Sequence, residues 1–349
     1  MDDEIKTIED YIHKINFYYD VFANKSKRSN GEPDIDWDES TNIGNPDHDP
    51  KERQYINARI ATLFSPHLET VFRGQSDKYY DLVPSIGRKT KNGKSLLYHE
   101  RHFIEAMKHT LPDVFVETLN PLDLLGLLQH HGVPTRLLDV TTNALVALFF
   151  ACNSNPDRDG TVYCFCVPAV ENDVFSASII SRTYQFTATN TQTTSDDFYF
   201  FLESNFPKEL ERERDAFCKF FELTKLSSGT DFELFKRLLV EILYPWKLPV
   251  ASSFRAKRQL AQSGKYLLFP NDVRITEDKA YICNQMSFIY SSYHSSIVGI
   301  DIPAKVKQPL LDSLDRFGVN KATLFPDSID SVCETIVNRI VREDYILSD

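Results

Sequence analysis

The chain has 349 residues, enough to bury a substantial core in one large domain or two. Fifty acidic residues against thirty-nine basic ones give a net charge of -11, which excludes broad, non-specific binding to nucleic acid or anionic membrane but leaves room for a local basic pocket. Phe (25) and Tyr (16) are plentiful and Gly (12) is scarce, and no apolar run approaches the roughly 18 residues that span a bilayer.

The elements follow in chain order. The opening, MDDEIKTIEDYI, is acidic and amphipathic and lacks the positive region of a secretory signal. Ile5, Ile8, Ile12, Ile15 and Tyr19 stand at helical spacing, which predicts a first helix over residues 3 to 23. Residues 25 to 52 are polar and rich in Asp, Asn, Gly and Pro, the composition of a long or disordered loop. A helix is expected over Ile56 to Phe64, then a strand over LETVFRGQ, ending at Gly74, and an amphipathic helix over SLLYHERHFIEAMKHT. The next helix is the best punctuated: Asn120 can cap it, Pro121 fits its first turn, and Gly132 and Pro134 follow its end. LLDV leads into a helix over TTNALVALFFAC with Thr141 or Thr142 as its cap, and GTVYCFCVP, KYLLFP and SIVGIDIP read as strands. Residues 183 to 244 form a helical, charged insertion, and helices over AKVKQPLLDSLDRFGV and DSIDSVCETIVNRIVRED close the chain, the last capped by Asp327 or Ser328. The mixture implies an α+β fold.

Several candidate chemistries fall away. No Walker-type loop and no GxGxxG is present. HERH (His99, Glu100, His102) has Phe103 where HExxH needs a histidine and offers no third metal ligand. Cys164 and Cys166 alternate along a strand and read as a core face, and the six scattered cysteines fit a reducing cytosol. His130 and His131 end a helix, either as a pair favoured by its dipole or as a catalytic or ligand group.

The richest constellation surrounds the helix entry at Thr142. A helix N-terminus offers free N–H groups to an anion, and PTRLLDVTT places Arg136, Asp139, Thr141 and Thr142 there. Arg73 stands beside Gly74, which allows close approach of a ligand or of another backbone. Two readings remain open: the arginine forks hold a phosphate or pyrophosphate, or Arg73 and Arg136 pair with Asp139 or Glu100 and brace the fold.

The segments VFRGQ and YDLVPSIGR, then Glu100, LLQHHGVPTRLLDVTTNALVALFFA and RQLAQSGKYLLF, resemble the FRG-domain family, named for the motif at Phe72 to Gly74. The resemblance runs over residues 67 to 270, and SIVGIDIPAKVKQPLLDSLDRFGVNKATLFPD is similar to the usual end of such domains. One departure is Val140, where an aromatic is common. The resemblance implies an N-terminal helical region over 1–66 and an FRG domain over 67–349, with a small mixed or antiparallel sheet and large helical insertions. It also implies a bacterial or phage-associated setting, and the cysteine pattern a cytoplasmic one. A more distant resemblance, in motif order, is to the ADP-ribosyltransferases. It implies that Arg73 anchors NAD, that Thr141 and Thr142 stand in for a Ser/Thr motif, and that Gln262 takes the place of the late glutamate. A glutamine there keeps the hydrogen bond and loses the charge, so Asp139 or Glu100 must supply the carboxylate, or the site is a non-catalytic module that binds a nucleotide or a nucleic-acid end without turnover. Gln262 reads equally as an amide bracing the QSGKY turn. The candidate set is thus Arg73, Glu100, Asp139 and Gln262 for catalysis, and Arg73, Gln75, Arg88, His130, Thr135, Arg136, Thr141 and Thr142 for a phosphate-bearing ligand such as NAD.

Overall fold

A computed structural model of the chain describes residues 4–27, 49–63, 68–89, 93, 96–116, 119–168, 175–187, 192–226, 228–245, 248–250, 257–276, 279–287 and 296–326. Helix α1 (Ile8–Lys27) turns Ile8, Tyr11, Ile15 and Phe22 inward, while Ile12 and Tyr19 of the expected stripe lie exposed. The stripe shifts because Tyr11 buries a larger ring and its hydroxyl donates to the Ala144 carbonyl at 2.7 Å. Helix α2 (Pro50–Leu63) starts earlier than its apolar residues suggest. Strand β1 (Leu68–Gln75) follows, then short 3-10 turns at Ser85–Gly87 and Leu96–His99. The second turn takes the first residues of the expected amphipathic helix, and α3 (Glu100–Thr110) carries the rest.

Helix α4 (Pro121–His130) begins as its punctuation demands, with the Asn120 side chain accepting from the Leu122 N–H at 3.0 Å, and stops at Gly132, whose φ of 79° suits glycine. Strand β2 (Leu137–Thr141) occupies the stretch read only as a lead-in. Helix α5 (Ala144–Cys152) is capped by Asn143, whose side chain accepts from Leu145 N–H at 2.9 Å, and not by Thr141 or Thr142. Thr141 lies in β2, and its hydroxyl accepts from the Asn143 N–H at 3.0 Å. Strand β3 (Gly160–Pro168) precedes helices α6 (Phe175–Ser181) and α7 (Thr183–Phe186), the short strand β4 (Thr193–Thr194), and helices α8 (Ser195–Asn205), α9 (Pro207–Phe221) and α10 (Thr230–Leu243). The remainder comprises β5 (Leu248–Val250), α11 (Lys257–Ala261), β6 (Gly264–Leu268), β7 (Val273–Ile275), β8 (Ala280–Ile282), β9 (Ser296–Ile302), α12 (Lys307–Arg316) and α13 (Lys321–Leu324). The closing helix expected over 327–344 and most of the loop expected over 25–52 lie outside the described residues.

The fold is α+β. Six strands form one antiparallel sheet in the order β5-β6-β2-β1-β3-β9, and β4, β8 and β7 form a small second one. Strand β3 is tied on both sides: Leu68 to Gln75 of β1 pair with Pro168 to Thr161, and Cys166 to Gly160 pair with Ser296 to Ile302 of β9. The alternation of a strand sends Val162, Cys164 and Cys166 to one face, where they join α1, α5 and α12, and Phe165 and Val167 to the other, with Val71, Leu138 and Leu267. That burial pushes the Cys164 thiol up to about 12, so it is an inert core group.

Helices α2, α4, α6, α8, α9 and α10 share a second core with β5 and the outward half of β6. Ion pairs lock its outer helices, with Arg59 of α2 donating through Nε to Glu213 of α9 at 3.0 Å and Arg237 of α10 pairing with Glu52 of α2. No described helix is long and apolar enough to cross a membrane.

Candidate functional site

The Phe-Arg-Gly stretch of β1 divides its labour by strand alternation. Phe72 is buried in the core, with its ring edge-on to Tyr19 at 5.9 Å. Gly74 shares that face, and a Cβ there would meet the Ala147 carbonyl oxygen at 1.8 Å and the Ala151 nitrogen at 2.7 Å. The backbone that approaches this glycine is therefore helix α5, not a ligand. Arg73 and Gln75 are left on the opposite face.

Here the sheet opens. Strands β1 and β2 are in register only at Phe72 opposite Thr141. Beyond that pair Arg73 Nη1 reaches across and donates to the backbone carbonyl of Asp139 at 2.6 Å. Two adjoining clefts meet at Arg73, Gly74 and Phe150. The first, of about 350 Å³, is walled by β2, β6, α11 and the end of α4. The second, of about 530 Å³, lies between the end of β1 and the loop carrying Tyr79, Tyr80, Arg88 and Lys89. Ser76 and Ser154 on its wall are tied together by the buried Lys307, whose ammonium donates to the carbonyls of Ser76, Ser154 and Asn155 at 2.7, 3.2 and 3.0 Å.

The electrostatics favour an anion. Burial pushes the Arg73 guanidinium down from its ordinary value, Asp139 opposes this, and Arg88 adds to it, while arginine keeps its charge throughout. Arg73 Nε is buried and has no hydrogen-bond partner among the described residues. Arg258 and Lys265 add positive charge to the first cleft; Arg258 stacks over the Phe325 ring at 4.6 Å and Lys265 pairs with Glu69.

The candidate residues separate into three groups. Arg73, His130, Asp139, Thr141 and Gln262 line the first cleft. Asp139 is exposed there and its carboxylate accepts from Gln129 Nε2 at 3.1 Å. Thr141 is tied, its hydroxyl donating to the Gln262 carbonyl at 2.7 Å. The Gln262 amide donates to the Leu324 carbonyl at 3.0 Å, so it braces α13 and not only its own turn. Gln75 and Arg88 line the second cleft with Arg73, and Arg88 Nε donates to the Val83 carbonyl at 3.3 Å.

The third group lines neither cleft. Arg136 is 0 % exposed and grips Glu100 with both ends of its fork, Nε to Oε1 at 2.7 Å and Nη2 to Oε2. The brace reading therefore describes this pair. Thr135 donates to Gln129 Oε1 at 2.5 Å and supports the residue that holds Asp139. Thr142 is exposed, its hydroxyl donating to the Ser263 carbonyl at 3.4 Å. The helix entrance expected to hold an anion is occupied by its own caps, and the clefts lie towards the other end of α5, at Phe150.

Sequence reasoning missed Gln259, Arg258, Phe150, Tyr79 and Tyr80. Helix α11 has five residues and buries none of them, so it carries no periodicity to read. Gly264 is the one signal: a Cβ there would meet Gln259 Cγ at 2.9 Å, so a glycine opening β6 leaves room for that side chain. Tyr79 and Tyr80 are 79 % and 52 % exposed, unusual for two consecutive aromatics.

A family model described as FRG domain matches residues 68–160. The chain carries an FRG domain over that stretch, from the first residue of β1 to the first of β3. Every residue lining the second cleft lies within it, whereas Arg258, Gln259, Gln262 and Lys265 of the first cleft lie beyond it. Neither a curated protein nor a solved structure matches the chain.

Proposed function

We propose that the FRG domain of this chain binds a phosphate-bearing nucleotide, with Arg73 as the anchor of its phosphates. The observation that carries this reading is the buried Nε of Arg73, unpartnered among the described residues, at the junction of two clefts and within the field of a second guanidinium, Arg88. An arriving phosphate gives the orphaned donor an acceptor and relieves the repulsion between the two cations. Arginine suits that task through its planar fork, which a lysine ammonium does not reproduce.

The test is thermal. With a nucleotide at about 100 times its dissociation constant, the protein should gain about 2.7 kcal/mol of apparent stability. Arg73→Ala should lose that gain, and Arg73→Lys should keep only a fraction of it. A folded Arg73→Ala variant that still shows the full shift would overturn the assignment.

A second reading, consumption of NAD by a transferase or glycohydrolase, draws on Asp139. Among the candidate carboxylates Glu100 is spent on Arg136, while Asp139 is exposed on the cleft wall. A carboxylate there can stabilise positive charge developing on a ribose. On this reading the wild type releases nicotinamide from NAD, and Asp139→Asn keeps the nucleotide-induced shift but loses the release. A wild type that binds NAD and releases none is a binding module. A role as a bacterial toxin or phage-defence effector belongs to this second reading alone.

A further inference from the structure

We propose that the ligand is a two-armed diphosphate, with a hydroxyl-bearing group such as a ribosyl unit on each side of the phosphates and one arm in each cleft. This inference rests on Arg73 as the phosphate anchor. A mononucleotide extends from its phosphates in one direction, but at Arg73 space extends in two, about 350 Å³ on one side and about 530 Å³ on the other.

Each side holds a polar group waiting for a partner. In the second cleft Gln75 is 4 % exposed and its carboxamide oxygen has no hydrogen bond among the described residues. In the first, Gln259 Nε2 is buried and equally unpartnered. A buried amide without a partner is costly, so a group that supplies one to each is selected strongly. Gln75 asks for a donor and Gln259 for an acceptor, and a hydroxyl is both, whichever way an amide is turned. Sugars carry that group in quantity. A ligand with a hydroxyl arm on both sides satisfies the two amides at once, which a one-armed nucleotide cannot do.

The aromatic rim orients the ligand. Tyr79 and Tyr80 border only the second cleft, so the base-bearing arm lies there, where a ring face can stack on it. The first cleft, with Gln259, Gln262, Asp139 and His130 on its walls, takes the second sugar.

The full-length protein can be titrated calorimetrically with inorganic pyrophosphate, ADP and ADP-ribose, the last chosen because it has two arms and no nicotinamide to release. ADP-ribose should bind at least about tenfold more tightly than ADP, a difference of about 1.4 kcal/mol. Gln259→Leu, close in volume, should bring ADP-ribose to within about threefold of ADP while leaving the ADP affinity unchanged, and Gln75→Leu should weaken both. Equal affinity for ADP and ADP-ribose in the wild type would overturn the two-armed ligand and leave the phosphate anchor standing. If none of the three compounds binds, the anchor itself fails and this inference with it.

Discussion

Glu100→Gln and Arg136→Met should each cost about 3–5 kcal/mol of stability, because either change leaves a buried group without its partner. Arg136 is fully enclosed. Burial alone would push its guanidinium down, and Glu100 beside it more than offsets this and holds it above its ordinary value. The remaining donors are also used, with Nη1 donating to the Phe269 carbonyl at 2.8 Å and to Asn271 Oδ1 at 3.3 Å. Asn271 N–H in turn donates to the Tyr244 hydroxyl at 3.2 Å, and that hydroxyl meets Thr183 Oγ1 at 3.1 Å. One side chain thus joins the first turn of α3, the start of β2, the end of β6 and the helical layer.

The same geometry predicts strong non-additivity. In the double variant Glu100→Gln/Arg136→Met neither charge is left alone, so its cost should fall below the sum of the two single costs by about 1–3 kcal/mol. Urea denaturation of the wild type and the three variants measures this, with unchanged slopes showing that only stability has moved. Costs that add to within about 0.5 kcal/mol would show that the two groups act independently. Because the pair lines neither cleft, nucleotide binding per folded molecule should survive these changes.

Gly74→Ala is the second large effect, with an expected cost above about 3 kcal/mol, at or beyond the upper range for overpacking. The obstacle is backbone, the Ala147 carbonyl oxygen at 1.8 Å, and backbone cannot rotate aside as a side chain can. Helix α5 would have to lift from β1, and with it Phe150, which lines both clefts. The control is Gly132→Ala, where φ is 79° and no atom lies within 4 Å, so only conformational strain of about 1 kcal/mol is expected. Melting temperatures of the two variants decide the matter. If Gly74→Ala is no worse than Gly132→Ala, the close approach of α5 is not what the glycine serves.

The elements and their approximate ends were legible wherever the signal is local. Asn120, Pro121 and Gly132 bracket α4 because caps and turn conformations act within a few residues. The alternation of Cys164 and Cys166 was readable for the same reason. Asn143 was overlooked as the α5 cap because Thr141 and Thr142 are chemically adequate caps, and only the pairing of Thr141 with Phe72 and Gly264 removes it from that role. The site was half legible. Arg73, Gln75, Arg88, His130, Asp139, Thr141 and Gln262 do line the clefts, but their motifs did not separate them from Arg136 and Glu100, which brace the fold.

The sequence by itself determined the α+β class, the caps of α4, the buried strands and the arginine-bearing motif, since propensity, periodicity and turn chemistry are written in neighbouring residues. Only the tertiary structure decided which arginine faces a cleft. Arg73 and Arg136 both sit in ordered, apolar runs, and their fates differ because Glu100, 36 residues from Arg136, closes on one of them. Arg73, reaching over a gap between strands that pair at a single position, finds a backbone carbonyl for one nitrogen and, among the described residues, none for another. That difference lies in long-range packing, which no local pattern encodes.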